Sequence, residues 1–316
     1  VSGSSAVRIG SVELRSPVMT ASGTAGYGTE LAGYGDLAQL GAVVVKSLAA
    51  FEWAGNPAPR LHPAGAGMVN AVGLQGPGIE HWLAHDLPAL LATGATVVAS
   101  IWGRTVAEFR QAAELLAAAP AQVVAVEVNL SCPNLSSASG GQHRGIFAHD
   151  AELSAQVVAA TEACGRPRWA KLSPNTDRVV AVAAAVRQAG AEAVTLVNTA
   201  LGMVLSPRTG LPILGAGGGG YSGRPLHAVA VRTVFDVRAA LPTIPIVGVG
   251  GVSSGWDAAE LILAGASAVQ VGTATFADPR APWSIQRELL TWCAARHLAI
   301  GDLAGQTHHG GLPPLE

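Results

Sequence analysis

Short apolar runs recur along the 316-residue chain, and each is followed by a stretch with helical spacing. The runs lie at Pro17–Ser22, Ala42–Ser47, Val97–Ile101, Ala125–Leu130, Arg168–Ser173, Ala193–Asn198, Pro245–Val249 and Ala268–Gly272. They are continuous rather than alternating, which predicts strands covered on both faces and hence a parallel sheet. The intervening segments predict helices at Val106–Ala119, Asp150–Ala163, Asp177–Gln188, Leu226–Ala239, Trp256–Ala264 and Pro282–Arg296. Ala-Gly-Ala at 189–191 and again at 264–266 puts a glycine where two of these helices stop before the next strand. Eight strands in strict alternation with helices favour a sheet closed on itself over an open, doubly wound one. The expected fold is α/β: a single (β/α)8 TIM barrel over residues 1–316, with an ordered core at about 8–305 and a C-terminal tail at 310–316. No linker divides the chain. The Gly- and Pro-rich pieces at 49–80, 133–149 and 200–224 each follow a strand and are expected to be extended loops of the active-site face.

Composition narrows the partners. The chain is 49% hydrophobic and 13% charged, with 39 glycines, which suits a large buried core joined by tight turns. A net charge of −2 without any Lys/Arg run argues against nucleic acid or an anionic membrane as a partner. No apolar run reaches the length of a membrane span, and the first residues lack the pattern of a signal peptide. Three cysteines, none in a Cys-x-x-Cys pair, offer no disulfide framework, zinc site or iron–sulfur cluster. Reduced thiols in a cytoplasmic protein are the expectation.

The chemistry gathers at the strand ends. Ser22, Lys46 with Ser47, Ser100, Asn129 with Cys132, Lys171 with Ser173, and Asn198 with Thr199 close the first six strands. A barrel brings such positions to one rim. Ser and Asn at these places also serve as helix caps. Two lysines ending buried strands are harder to explain structurally, because an unpaired buried charge is costly. The last two strands finish in glycine, in Gly-Val-Gly-Gly-Val (248–252) and Val-Gly-Thr-Ala (271–274), a pattern that fits a phosphate held by backbone N–H groups and helix N-termini and equally fits plain turns. Asn70, Asn129, Asn134 and Asn198 each supply a donor and an acceptor, matching a flat heterocycle with alternating N–H and C=O groups. Cys164 and Cys293 sit in helical segments and read as buried apolar residues. Cys132 ends a strand ahead of Pro133 and a Ser/Gly-rich loop (136–145), where a thiol is placed to act as base or nucleophile beneath a lid.

The chain resembles the class 1 dihydroorotate dehydrogenases, and their 1B branch more than their 1A branch. The resemblance rests on Pro-Val-Met-Thr-Ala-Ser-Gly (17–23), Gly-Asn-Pro-Ala-Pro-Arg (55–60), Asn-Ala-Val-Gly-Leu-Gln (70–75), Asn-Leu-Ser-Cys-Pro-Asn (129–134), Lys-Leu-Ser-Pro-Asn (171–175), Val-Asn-Thr (197–199), Tyr-Ser-Gly (221–223) and the two glycine motifs, in order. It implies FMN in the rim, with its phosphate on Gly250, Gly251, Gly272 and Thr273 and its ring lined by Ser22, Lys46, Ser47, Ser100, Asn129, Lys171, Val197 and Gly223. It implies a pyrimidine held by Lys46, Asn70, Ala71, Val72, Gly73, Leu74, Asn129, Asn134, Asn198 and Thr199. Cys132, aided by Lys46, is then the catalytic base that removes a proton as hydride passes to the flavin, turning dihydroorotate into orotate. The resemblance further implies a homodimer and a separate subunit with FAD and an iron–sulfur cluster that passes electrons to NAD.

Two places depart from the family's pattern: Ser100 stands where Asn is usual, and Gly-Gly-Gly-Tyr-Ser-Gly (218–223) replaces Thr-Gly-Gly-Leu-Ser-Gly. They leave room for a related enzyme acting on another dihydropyrimidine, of uracil or thymine type. A phosphate-binding barrel with no redox role is the alternative from a different class.

Overall fold

In the computed structural model, residues 5–131 and 146–313 are described. Their strands in chain order are β1 (Val7–Ile9), β2 (Val12–Leu14), β3 (Val18–Thr20), β4 (Val43–Val44), β5 (Leu61–Ala64), β6 (Gly67–Asn70) and β7 (Val97–Ile101). They continue with β8 (Val123–Asn129), β9 (Arg168–Lys171), β10 (Ala193–Leu196), β11 (Ala200–Gly202), β12 (Gly219–Gly223), β13 (Ile246–Val249) and β14 (Ala268–Val271).

The eight expected strands are all present and form one parallel sheet in the order β3-β14-β13-β10-β9-β8-β7-β4. Its two ends meet. Gly41 N–H donates to Val18 O at 2.8 Å, Thr20 N–H to Ala42 O at 3.2 Å, and Val44 N–H to Thr20 Oγ1 at 2.9 Å. The closed seam makes the sheet a TIM barrel. The continuous apolar runs follow from this closure, since one face of every strand meets the helices and the other meets the barrel interior.

All six expected helices form, at Val106–Leu116, Ala151–Ala160, Val179–Gln188, His227–Ala240, Gly255–Ala264 and Ala281–Ala295. Their starts follow side-chain chemistry. Thr105 accepts from Glu108 N–H, Asp150 from Leu153 N–H and Ser254 from Asp257 N–H, each satisfying an orphan donor of the first turn. Gly190 at φ 98° and Gly265 at φ 131° stand just past two helix ends, as the Ala-Gly-Ala pattern anticipates.

Two of the three long segments are more ordered than the expected loops. Parts of 49–80 and 200–224 build a second, antiparallel sheet in the order β11-β12-β6-β5. Pro63 and the Gly219–Gly220 pair deprive these strands of the β-branched alternation that marks a strand in sequence. A further helical run extends from Ile79 to Ala92, with a π turn at Trp82–Asp86. Pro88 within it reads as a breaker, yet sits directly after the π turn, at the start of Leu87–Ala92. Ahead of the barrel, β1 and β2 form a hairpin that turns at Gly10 (φ 60°) and is fastened to Glu192 through Ser11. The ordered part also reaches past residue 305, through the short turn Gln306–His309. No helix among the described residues is long and apolar enough to cross a membrane.

Candidate active site

The C-terminal ends of the barrel strands open into a cavity of about 1320 Å³, bordered on one side by the antiparallel sheet. Parallel strands place alternate side chains inside the barrel, so polar residues near the ends of most of the runs point into this space. Ser22, Lys46, Ser47, Asn129, Lys171, Val197, Asn198 and Thr199 line it from the strand ends. Asn70 reaches it from the end of β6, and Val72, Gly73 and Leu74 from the segment after it. Gly223, Gly250, Gly251, Gly272 and Thr273 form another part of the wall.

The polar wall is one connected network. Ser47 Oγ lies 3.2 Å from Ser22 Oγ and 2.8 Å from Ser100 Oγ, and accepts from Asn129 Nδ2 at 3.0 Å. Asn198 Nδ2 donates to Asn129 Oδ1 at 3.3 Å and to Ser131 Oγ at 2.9 Å. Each amide is thereby fixed in rotamer and in which end it offers, so the wall presents a defined pattern of donors and acceptors. Ser131 is the residue before Cys132. Cys132, Asn134 and the 136–145 loop lie outside the described residues.

Two expected contacts stand behind the wall. Ser100 is fully buried and reaches the site only through its bond to Ser47. Ala71 is also buried; its N–H donates to Arg60 O, and its methyl packs with Val69 and Leu214.

Lys171 enters from the barrel interior and is 4% exposed. Its Nζ donates to Glu127 Oε1 at 3.3 Å and Gln270 Oε1 at 3.4 Å. Glu127 is fully buried, and its second oxygen accepts from Thr195 Oγ1 at 3.1 Å and Gln270 Nε2 at 2.7 Å. The charge is thus paired and the carboxylate satisfied, which a buried ion pair requires. Sequence reasoning passed over Glu127, Thr195 and Gln270. A signal for Glu127 was available, because a carboxylate inside Val-Val-Ala-Val-Glu-Val-Asn (123–129) has to find a partner. Lysine usage carries a second signal. Of 19 Lys and Arg residues only Lys46 and Lys171 are lysines, and both line this one cavity. The other 17 are arginines, of which Arg224 also lines the cavity.

At the glycine end, Gly223, Gly250 and Gly251 have φ of 98°, 136° and 67°. A Cβ on Gly250 would lie 2.7 Å from Ala230 Cβ, and one on Gly251 2.7 Å from His227 Cβ. Thr273 Oγ1 donates to Ser222 Oγ at 2.8 Å, joining the two sides of this cradle. Gly251→Ala is expected to lower stability by about 1–3 kcal/mol through backbone strain, with further loss from the His227 clash. A urea midpoint unchanged from wild type would contradict this packing.

The other cysteines behave as expected of core residues. Burial pushes the thiols of Cys164 and Cys293 up from their ordinary range. Both should resist a thiol reagent in the native protein and react on unfolding, as read by mass spectrometry of the labelled chain.

A family model described as dihydroorotate dehydrogenase matches residues 4–292. The chain belongs to the dihydroorotate dehydrogenase family. The catalytic subunit of dihydroorotate dehydrogenase B (NAD+) from Pelobacter propionicus is 43% identical over 301 residues, covering 95% of this chain and 97% of the relative. The protein of the same description from Trichlorobacter lovleyi is 43% identical over 301 residues, with the same two coverages. That of Anoxybacillus flavithermus is 41% identical over 275 residues, covering 87% and 86%. Dihydroorotate dehydrogenases are flavin-dependent oxidoreductases. The cavity of this family member fits such a cofactor chemically. It has a backbone-lined glycine cradle suited to a phosphate, a buried ammonium, and a wall of hydroxyls and amides able to pair with a heterocycle edge.

Proposed function

We propose that this chain oxidises dihydroorotate to orotate on bound FMN, as the catalytic subunit of an NAD-linked enzyme. The observation that carries the reading is the convergence of both lysines and the Ser47–Asn129–Asn198 network on one cavity, in a member of this family. Bound there, FMN supplies the acceptor for the hydride.

The chain's residues divide the remaining work. Gly250, Gly251, Gly272 and Thr273 hold the phosphate, with Gly223 alongside. Ser22, Ser47 and Val197 would line the ring, and Lys171 would supply it a fixed cation, which in a dry site lowers the cost of accumulating negative charge. Asn70, Gly73, Leu74, Asn129, Asn134, Asn198 and Thr199 orient the substrate ring. Cys132 takes the proton from one ring carbon as hydride leaves the adjacent carbon, and the new C=C bond forms between them. A lysine charge beside a thiol favours its thiolate form, the role assigned to Lys46.

A partner subunit carrying FAD and an iron–sulfur cluster would take the electrons on to NAD. The match to proteins described as catalytic subunits supports this. A homodimer of this chain is the expected core of that assembly, and light scattering of the purified chain tests it.

The decisive experiment mixes FMN-reconstituted protein with dihydroorotate without oxygen and follows flavin absorbance. Bleaching is expected with dihydroorotate and not with dihydrouracil. Bleaching by dihydrouracil alone would move the assignment to another dihydropyrimidine, and failure to take up any flavin would leave a non-redox barrel. The isolated chain should reduce a dye but not NAD.

A further inference from the structure

We infer that Trp53 is a positioning residue for the cavity: with Asn56 it draws back three successive carbonyls, and so turns the N–H groups of Val72, Gly73 and Leu74 toward the space those residues line. The inference deepens the proposed function, in which this segment orients the substrate, and it rests on that reading. Asn56 Nδ2 donates to Ala71 O at 3.1 Å, Asn56 N–H to Val72 O at 3.0 Å, and Trp53 Nε1 to Gly73 O at 3.0 Å. The peptides of this segment are trans, and a planar trans peptide points its N–H opposite to its C=O. Three successive N–H groups therefore face away from the 53–56 segment, and Val72, Gly73 and Leu74 all line the cavity. None of the three N–H groups meets an acceptor among the described residues. Donors in such a row favour an anionic acceptor over a neutral one.

Both holding side chains are themselves fixed. Asn56 is buried, and it packs so closely that a Cβ on Gly73 would lie 2.5 Å from Asn56 Cγ. The Trp53 ring meets Phe51 and Trp102 edge to face, with centroids 6.2 and 6.1 Å apart. The Arg104 guanidinium covers the Trp53 and Phe51 rings at 5.1 and 4.8 Å from their centres, and is bonded in turn to Glu108 at 2.6 Å. Trp53 also exchanges two backbone bonds with Gly76, each of 2.9 Å, which keep the indole beside the segment it restrains. The restraint is needed. Leu74 stands at φ 60°, a left-handed backbone that leucine adopts only where its surroundings dictate it. The indole on Gly73 O and the Tyr27 hydroxyl on Gln75 O hold the chain on either side of that residue.

Trp102 provides the contrast. It belongs to the same aromatic cluster and is 1% exposed, and its Nε1 has no partner among the described residues. Loss of that N–H takes a donor from no carbonyl. Loss of the Trp53 N–H frees the Gly73–Leu74 peptide to turn, because water can reach Gly73 O past a side chain that is only partly buried. The strain at Leu74 then favours a relaxed arrangement in which its N–H no longer faces the cavity.

The test compares wild type, Trp53→Phe and Trp102→Phe, each as the full chain reconstituted with FMN. Orotate affinity is read from the change in flavin absorbance, and anaerobic reduction by dihydroorotate by stopped flow. Trp53→Phe keeps the aromatic packing and loses the donor. It should bind orotate about tenfold more weakly and need about tenfold more dihydroorotate for half-maximal reduction, the effect of losing one charge-assisted hydrogen bond. Its reduction rate at saturation should stay within about twofold of wild type, as expected when only uniform binding is lost. Trp102→Phe should match wild type in both readouts, and both variants should keep the wild-type urea midpoint and FMN affinity. If Trp53→Phe fails to fold, Arg104→Gln replaces it: that change keeps the indole N–H, removes the cation over its ring, and should weaken orotate binding about threefold. Equal weakening in the two tryptophan variants, or unchanged orotate affinity in the variant read, would overturn the inference and leave the proposed function standing. Wild type that takes up FMN but binds neither orotate nor dihydroorotate would remove the dihydroorotate reading and this inference with it.

Discussion

Replacing Cys132 with serine leaves FMN bound and slows anaerobic reduction by dihydroorotate about 10²- to 10⁴-fold at pH 7, the usual range for loss of a general base. Binding persists because the residues assigned to the flavin, among them Ser22, Ser47, Lys171 and the glycine cradle, are untouched. The rate falls because a hydroxyl is a far weaker acid than a thiol of reference pKa about 8.5, so little of it is ever in the basic form. No other cysteine can stand in, since Cys164 and Cys293 are buried away from the cavity and burial raises both thiols. The pH profile separates a base from a packing role. Wild-type reduction should level off once the thiol has ionised, whereas the serine variant should keep accelerating to the highest pH tolerated. Single-turnover reduction at the wild-type rate would take Cys132 out of the mechanism.

What the sequence discloses depends on how local the cause is. The eight barrel strands were legible because burial on both faces imposes a continuous apolar run, a signal contained in five or six neighbouring residues. The antiparallel sheet was not, because β12 is Gly-Gly-Tyr-Ser-Gly and pairs with β6 across about 150 residues. Its order comes from that pairing rather than from its own composition. The hairpin β1–β2 did carry an alternating pattern, Val7, Ile9, Val12 and Leu14 inward, and its short length concealed it. In the site, residues that end strands were legible because the barrel gathers strand ends whatever their order. Ser100 and Ala71 belong to the right segments but stand one layer back, a difference of depth that no spacing rule reports. Glu127 and Gln270 sit below the rim, and their link to Lys171 spans 44 and 99 residues.

Removing the carboxylate of Glu127 should cost about 3–5 kcal/mol, a large share of the 5–15 kcal/mol that holds a typical domain together. Glu127→Ala leaves the Lys171 ammonium buried at 4% exposure with only the Gln270 side-chain oxygen, 3.4 Å away, as a recorded partner. Lys171→Met should cost less, because Glu127 keeps its donors from Thr195 and Gln270. The double change Glu127→Leu with Lys171→Met removes both charges together, and with them the desolvation that each incurs. Its stability should return to within about 1–2 kcal/mol of wild type, since apolar replacement of a buried pair is often neutral. Urea midpoints of the four proteins give the coupling directly. The double variant should nonetheless fail to be reduced by dihydroorotate at an appreciable rate, because the cation assigned to the flavin ring is gone. If the double loss equals the sum of the single losses, the two groups are uncoupled and Lys171 is not held by Glu127. If the double variant is stable and fully active, Lys171 has no role at the flavin. A stable but inactive double variant means the pair contributes little to folding and is there to fix one charge at the floor of the site. Such a fixed charge needs no rearrangement as negative charge builds up, whereas a solvated lysine would have to be ordered in the same step.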